Sequence, residues 1–501
     1  MVRDFSWYYV LVAAAFVGFV LWIGFSRFGD IVLGKDEDKP EFSTVSWFSL
    51  LFAAGMGIGL VFYGVSEPLS HFASPRPGVT GTPAHLAQQA LTQTFLHWGL
   101  HAWAIYVVVG LALAYAIHRR GRPVSIRWAL EPLLGTRVRG GWGNAIDVIA
   151  LVGTLFGVAT SLGLGVLQIN AGLAAIGVLE NSLGVQIVLI VVVTLVAIVS
   201  LVTGVSKGMK ILSNFNLFLA ALLLVFVLAV GPTQFLLREF VQTIGDYLQN
   251  FVGLAFDVSA FSGARGEAWQ GAWTTFYWGW WMSWAPFVGI FIARISKGRT
   301  VRQFVFGVLL VPTLLTFLWF AILGGAALQA QMSGRVSLVG PHGGVDVEGA
   351  LFQLLGSLPA GTVLIAGAIL LIGVFFVTSA DSGALVMSMI ATGGQLEPKA
   401  WIRVFFAGVT ALVAISLLVS GGLTALKTAA ITTALPFSVV MILMCWATVI
   451  AFTREIRAYR AAERAVLLEE LTAHYEQEVE RPSQVDPRTG PIALLRRRLR
   501  R

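Results

Sequence analysis

The sequence predicts an all-α protein that crosses a membrane many times. Of its 501 residues, 57% are hydrophobic and only 12% are charged, and the mean hydropathy is +0.80. A soluble domain carries about 25% charged residues. The chain has one cysteine, Cys445, which excludes a disulfide framework. These observations indicate a polytopic membrane protein.

The apolar segments predict about eleven spans, because a bilayer core requires about 20 apolar residues per helix. The first segment is too long for a signal-peptide core and is interpreted as a retained span. The fourth and ninth are long enough to be tilted or extended. The segments are 6–26, 46–66, 92–117, 143–176, 184–204, 211–231, 272–293, 303–325, 360–389, 401–421 and 429–453.

The loops between these segments predict the orientation of the chain. Six arginines lie in residues 118–142 and eleven in the tail after residue 453, and alternate loops are basic. The intervening loops are poor in Lys and Arg or carry acids, as in 232–271. Since basic loops stay in the cytoplasm, the C-terminus is predicted to be cytoplasmic and the N-terminus outside. The net charge of +8 follows from this topology and predicts no nucleic-acid partner.

The ten spans after the first divide into two sets of five, and each set opens on an unusual helix. The second span contains AAGMGIG at 53–59, and the seventh is rich in tryptophan and contains Pro286. Five-span halves of opposite orientation, with broken helices at mid-membrane, are a common plan of secondary transporters. The predicted parts are the first span with its cytoplasmic loop at 1–45, the two repeats at 46–231 and 272–453, an outer segment at 232–271 and a cytoplasmic tail at 454–501.

Two segments outside the spans have patterns of their own. Residues 235–256 are amphipathic and predict an interfacial helix on the outer face. Residues 454–480 predict a charged helix, and the chain ends in LLRRRLRR. A polybasic cytoplasmic end attracts anionic lipid by roughly 1 kcal/mol per basic residue. The alternative is a solvated tail that only supports the topology.

Four stretches make a family resemblance specific: GKDEDKPEFSTVSWFSLLFAAGMGIGLVFYGVSEPL, FLHWGLHAWAIY, WTTFYWGWWMSWAPFVGIFIARISKGRTVRQF and FFVTSADSG. From about residue 6 to 453 the chain resembles the betaine/carnitine/choline transporter family. The resemblance implies a leucine-transporter-like 5+5 inverted repeat, a homotrimer, a quaternary ammonium substrate and no cofactor. Family members usually have twelve spans, so either the start codon is misassigned or this member is truncated.

The stretch FYWGWWMSWAPF at 276–287 is interpreted as part of the substrate site. A trimethylammonium group has no N–H to donate, whereas aromatic faces attract it by roughly 0.5–2 kcal/mol each. Trp103 and Tyr106 share a helix face, but Trp98 lies off it unless the helix is irregular. The alternative is interfacial or packing tryptophan. The resemblance assigns the box to Trp98, Trp103, Tyr106 and Trp281, with Trp280 and Trp284 along the exit path and Gly57 and Gly59 in the unwound backbone.

The second predicted element is a sodium site. Na⁺ prefers several oxygen ligands, and Thr378 and Ser379 offer adjacent hydroxyls. The resemblance adds the backbone carbonyls of Ala53, Met56 and Phe375. Alternatively, such hydroxyls bond only their own helix backbone. A second sodium region of the family pairs hydroxyls four residues apart, but Val158 stands where a partner of Thr154 is expected, so that region is doubtful.

The remaining polar residues predict no further chemistry. Glu67 and Asp381 are intramembrane acids, which are functional candidates by default, and Asp381 is interpreted as the cap of a helix restart after VTSA. His97 and His101 have metal-like spacing but no third ligand nearby, so no metal beyond Na⁺ is predicted. The sequence contains no nucleophile elbow, phosphate loop or metalloprotease motif, and an enzyme is not expected.

The predicted function is Na⁺-coupled import of a glycine betaine-type solute by alternating access in the cytoplasmic membrane of a prokaryote. Within the family, a sodium-independent carnitine-type exchanger or a proton-coupled choline carrier is the alternative. A membrane sensor or channel that lost transport is the alternative of another class. Betaine is preferred to choline because Gly59 supplies no carboxylate for a cation, and Gly59→Asp is predicted to shift the preference toward choline.

Overall fold

A computed structural model describes residues 4–55, 57–203 and 206–479, and these residues are helical almost throughout. Residues up to Thr448 form one compact unit and residues from Val449 a second. The helices are α1 (Ser6–Phe25), α2 (Thr44–Gly55), α3 (Ile58–Ala73), α4 (Pro83–Trp98), α5 (Leu100–Ala114), α6 (Glu131–Leu134), α7 (Gly141–Ala175), α8 (Leu183–Thr203), α9 (Ser206–Val230), α10 (Thr233–Ala255), α11 (Gly263–Ala272), α12 (Thr274–Arg294), α13 (Val301–Met332), α14 (Ala350–Gly356), α15 (Gly361–Ala391) and α16 (Ala400–Val479).

The predicted spans all fall on these helices. Within the described residues, eight helical segments are long and apolar enough to cross a membrane by length and composition. The second predicted span is divided between α2 and α3, and the seventh is α12, whose aromatic residues lower its mean hydropathy. The tenth and eleventh share α16, which is broken at Gly421 and Gly422. The all-α polytopic fold is therefore confirmed, while the division into two repeats around 232–271 stays a prediction.

The glycine-rich second span is broken as expected. Helix α2 ends at Gly55 and α3 begins at Ile58. Gly57 is the N-cap of α3 and has extended backbone, with φ −143° and ψ 178°. Met56 lies outside the described residues. The break frees backbone groups inside a membrane span, where such groups are tolerated only against protein or a water-filled cavity.

The third span contains a break that the sequence pattern only hinted at. Helix α4 ends at Trp98 and α5 begins at Leu100, with Gly99 between them at φ −95° and ψ −136°. A Cβ added at Gly99 would lie 2.5 Å from the Phe95 carbonyl oxygen. The Trp98 carbonyl accepts a hydrogen bond from the Thr316 hydroxyl at 3.0 Å. The irregularity that Trp98 needs in order to share a site with Trp103 is therefore present.

Helix packing places the broken spans at the centre of the first unit. Helix α5 packs against α12, α7 against α15, and α3 against α4 and α13. The amphipathic α10 packs against α4 and α13 through buried residues that include Leu236, Thr243 and Tyr247. A helix is therefore present where one is predicted at 235–256, while its place at the outer membrane interface stays a prediction. The charged tail is helical to Val479, and the arginine-rich end from residue 480 lies outside the described residues.

The interpretation of Asp381 as a helix cap is wrong. Helix α15 continues without interruption from Gly361 to Ala391, so no helix restarts after VTSA. Asp381 lies inside it and accepts a hydrogen bond from the Ser200 hydroxyl of α8 at 3.3 Å. A buried interhelical hydrogen bond satisfies this acid in place of a helix end.

Candidate functional site

Five aromatic side chains from α4, α5 and α12 form one buried group, called here the aromatic cluster. Trp98 meets the ring of Trp281 edge-on, with centroids 4.8 Å apart, and Trp280 stacks on Trp281 at 4.8 Å. Tyr106 lies 6.2 Å from Trp281, and Trp103 lies 5.5 Å from Tyr106. The structure therefore brings together all four members of the predicted box, and Trp280 as well.

Three indole nitrogens of the aromatic cluster donate hydrogen bonds to the protein. Trp281 donates to the His97 carbonyl oxygen at 2.9 Å, and Trp280 donates to the Ser161 hydroxyl at 3.2 Å. Trp98 donates to Glu67 Oε2 at 2.7 Å. Buried indoles require such partners. Each bond fixes the orientation of one ring, which pre-organises the faces that would surround a cation.

The glycine-rich break lies directly against α12. A Cβ added at Gly59 would lie 2.2 Å from Cη2 of Trp280, closer than side-chain carbons approach one another. A Cβ added at Gly57 would lie 3.8 Å from Cη2 of Trp284, which is ordinary contact. The absence of a side chain at Gly59 therefore lets the indole of Trp280 pack on the backbone of α3.

A buried carboxylate lies beside the aromatic cluster. Glu67 of α3 is fully buried. Its Oε2 accepts hydrogen bonds from Trp98 Nε1 and from the Tyr277 hydroxyl. Its Oε1 accepts from His97 Nδ1 at 2.7 Å and is paired with His71 Nε2 at 3.2 Å. Four donors compensate for the desolvation of a charge that would otherwise be costly to bury.

A cation lies against three aromatic rings that neighbour the aromatic cluster. The ammonium of Lys427 is 4.6 Å from the ring centroid of Phe276, 4.9 Å from that of Trp273 and 5.6 Å from that of Tyr63. It also donates to the Ala272 carbonyl oxygen at 3.3 Å. Tyr63 in turn lies 6.2 Å from Trp280. The site region thus contains one buried acid and one cation held by aromatic faces.

Three of the predicted sodium ligands line one cavity. Phe375, Thr378 and Ser379 of α15 border a space of about 100 Å³ that Trp284 of α12 also lines. The Thr378 hydroxyl donates to the Val374 carbonyl oxygen at 3.0 Å, which leaves its lone pairs available. Asn216 of α9 also lines the cavity, and within the described chain its Oδ1 has no hydrogen-bond partner. An unpaired amide oxygen suits a hard cation.

The structure gives less support to the other residues predicted to bind sodium. Ala53 lies near the C-terminal end of α2, and Met56 lies outside the described residues. The Thr154 hydroxyl donates to its own helix at the Ala150 carbonyl oxygen, 2.8 Å away. Val158 is buried and apolar. The described residues therefore add nothing to a second sodium region.

The histidine pair at positions 97 and 101 separates in the structure. His101 stacks on Trp278 with centroids 5.1 Å apart, and neither of its ring nitrogens has a partner among the described residues. His97 instead joins Glu67 and His71, and the ligand atoms of these three residues lie within 4.8 Å of one another. Sequence reasoning missed this group because Glu67 and His71 both lie on α3, 30 and 26 residues before His97 on α4.

Comparison with known proteins agrees with this arrangement. The model of the BCCT family, described as betaine/carnitine/choline family transporter, matches residues 1–457. The chain belongs to this family. It is therefore a multi-pass membrane protein of a transporter family.

Relatives of the BCCT member cover most of its length. An uncharacterised transporter of Mycobacterium tuberculosis is 52% identical over 460 residues, which are 90% of this chain and 77% of the relative. The glycine betaine transporter OpuD of Bacillus subtilis is 47% identical over 92% of this chain and 89% of its own. An osmo-dependent choline transporter of Acinetobacter baylyi is 42% identical over 88% of this chain and 64% of its own.

Proposed function

We propose that this protein imports a glycine betaine-type zwitterion together with Na⁺ by alternating access, in the cytoplasmic membrane of a prokaryote. The observation that carries the proposal is the aromatic cluster, in which Trp98, Trp280 and Trp281 meet with their nitrogens already bonded. Such faces attract a trimethylammonium group that cannot donate hydrogen bonds. Two relatives bear the name glycine betaine transporter at 47% and 43% identity.

The charges around the aromatic cluster favour a zwitterion over a cation. Both oxygens of Glu67 are engaged by hydrogen-bond donors. The Lys427 ammonium already occupies aromatic faces next to the cluster. A second cation such as choline would be repelled there, whereas the carboxylate of betaine would be attracted. A choline carrier is the second candidate, because one relative is named as a choline transporter.

Coupling to Na⁺ is supported by the cavity at α15. Phe375, Thr378 and Ser379 line a cavity that also borders Trp284 of the Trp-rich helix α12 and includes the Asn216 amide. An ion bound there would contact the same helix as the substrate, so each ligand could stabilise the state that binds the other. A homotrimer, and attraction of the C-terminal tail to anionic lipid, belong to the same proposal.

Binding to the purified protein tests the proposal. Glycine betaine titrated calorimetrically in NaCl should bind, and replacement of NaCl by KCl should weaken binding at least tenfold. Trp281→Ala should abolish binding, whereas Trp401→Ala, an exposed tryptophan far along the chain, should leave it unchanged. Equal affinity in both salts would remove the sodium coupling, and equal affinity in Trp281→Ala would remove the aromatic site.

A further inference from the structure

We propose that Glu67, His71 and His97 form a binding site for a transition-metal ion of the Zn²⁺ class. The three residues come from α3 and α4, and each is no more than 1% exposed. Their ligand atoms lie within 4.8 Å of one another. Two imidazoles and one carboxylate, with a fourth position left for water, form a ligand set that Zn²⁺ uses in proteins.

The surroundings of the two imidazoles allow a metal ion to replace their hydrogen bonds to Glu67. His97 Nδ1 and His71 Nε2 both point at Oε1 of Glu67, at 2.7 and 3.2 Å. A metal among these atoms requires each imidazole to carry its proton on the other nitrogen. His97 Nε2 lies 3.1 Å from the Thr274 hydroxyl, whose oxygen can accept a hydrogen bond from the N–H formed there. His71 Nδ1 has no partner in the described part of the chain and is free to carry one.

The residues around the ligands already provide the support that metal sites require. Carboxylate and histidine ligands are usually oriented by further hydrogen bonds. The second oxygen of Glu67 is held by Trp98 and Tyr277. His97 Nε2 is also 3.1 Å from the amide nitrogen of Gln93, and a flip of that amide would present its oxygen instead. The metal would therefore enter an arrangement whose outer contacts are in place.

A small cavity lies beside His71. A cavity of about 10 Å³, room for a single water molecule, is lined by residues that include His71, Gln93 and Arg76. Arg76 is 22% exposed, so the cavity lies near the protein surface, and its charge is compensated by Asp257. The small space has room for the water ligand of the ion. By linking α3 to α4 the ion would restrain the break at Gly99.

Metal binding to the full chain tests the inference without any transport measurement, so it is independent of the proposed function. Chelator-treated protein in lipid nanodiscs is titrated with ZnCl₂ by calorimetry. Wild type should bind one ion per chain at the highest-affinity site. His71→Gln and Glu67→Gln should each weaken that binding at least tenfold. His101→Gln, a buried histidine outside the group, should not.

The outcomes are distinct. The site would be overturned if both His71→Gln and Glu67→Gln bound Zn²⁺ with wild-type affinity. It would also be overturned if His101→Gln lost as much affinity as they did. If a variant elutes as aggregate, Co²⁺ added to wild type decides. The intense visible absorption of four-coordinate Co²⁺ supports the site, and the weak spectrum of hydrated Co²⁺ contradicts it.

Discussion

The indole of Trp98 donates its Nε1 hydrogen to Oε2 of Glu67 over 2.7 Å. Glu67 lies on α3 and Trp98 is the last residue of α4. The bond therefore links the two predicted spans that are broken, α2–α3 and α4–α5. The same carboxylate accepts from Tyr277 on α12. One buried acid therefore holds aromatic residues from two helices in the orientation that the proposed site uses.

Removal of this acid should weaken substrate binding more than it weakens folding. Glu67→Ala leaves the Trp98 N–H and the Tyr277 hydroxyl without acceptors, at a cost of about 1–3 kcal/mol each. Betaine affinity should fall ten- to a hundredfold, and Glu67→Gln, which keeps one acceptor, should lose less. Ser66→Ala is the matched control, since among the described residues its buried hydroxyl bonds only the Phe62 carbonyl oxygen. Equal affinities in all three variants would refute the positioning role.

Substitution of Gly59 should act first through sterics. A methyl group there would meet Trp280 at 2.2 Å, whereas one at Gly57 would meet Trp284 at 3.8 Å. Gly59→Ala should therefore reduce betaine affinity at least tenfold, because overpacking costs about 1–3 kcal/mol. Gly57→Ala makes only an ordinary contact and should change the affinity by less than a factor of about 3.

The expected shift of Gly59→Asp toward choline must be judged against this steric effect. The ratio of choline to betaine affinity should rise in Gly59→Asp relative to Gly59→Ala, because only the aspartate adds negative charge. Competition binding measures both ratios. An identical ratio in the two variants would show that charge at this position does not select the substrate.

Loss of the two hydroxyls on α15 should weaken Na⁺ dependence. Thr378 and Ser379 line the cavity proposed for the ion, and the double change to alanine leaves it fewer oxygen ligands. The Na⁺ concentration for half-maximal betaine uptake should rise at least tenfold. Ser388→Ala on the same helix removes a buried hydroxyl whose single partner in the described part of the chain is the Ala384 carbonyl oxygen. This variant should behave as wild type. An unchanged Na⁺ dependence in the double variant rules the site out.

Neutralisation of Lys427 should relax the choice between zwitterion and cation. Lys427→Gln removes the ammonium from the faces of Phe276 and Trp273. The preference for betaine over choline should fall roughly fivefold, as expected for about 1 kcal/mol from a partly exposed charge. Lys427→Arg keeps the charge and should keep the preference. A preference that survives Lys427→Gln would place the selectivity elsewhere.

The stability of the protein should depend on the ionisation of Glu239 in α10. Burial raises the pKa of this carboxyl to about 8, against a hydrogen bond from Thr243 that lowers it. Since the folded state favours the neutral acid, wild type should lose stability as the pH rises from about 4.5, the ordinary value, to about 8. Glu239→Gln should therefore raise the melting temperature more at pH 9 than at pH 5. Equal shifts at both pH values would contradict this.

Of the two helix breaks near the site, the sequence predicts one directly and the other only indirectly. AAGMGIG at 53–59 predicted the break after α2, because three glycines in one turn weaken a helix. Gly99 gave no such pattern, and only the off-face position of Trp98 indicated an irregularity. That break depends on Phe95 and Thr316, the second of which lies more than 200 residues away.

The polar group around Glu67 shows what the sequence could not reveal. Intramembrane acids are functional candidates, and Glu67 was one. Its partners come from α3, α4 and α12, and no spacing in the sequence predicts that these residues contact one another. The spacing of His97 and His101 suggested a pair, but helix packing turned His101 toward Trp278 and His97 toward the acid. The acid that follows VTSA suggested that Asp381 caps a new helix, whereas α15 continues through it without a break.

The central claim is Na⁺-coupled transport of a betaine-type zwitterion, and uptake into proteoliposomes tests it most directly. Purified protein is reconstituted, and radiolabelled glycine betaine is supplied with an inward Na⁺ gradient or with K⁺ on both sides. Accumulation above the external concentration is predicted only with the Na⁺ gradient, and it should collapse when the gradient is dissipated by a sodium ionophore. Equal uptake under both conditions, or no uptake of betaine in either, would contradict the account.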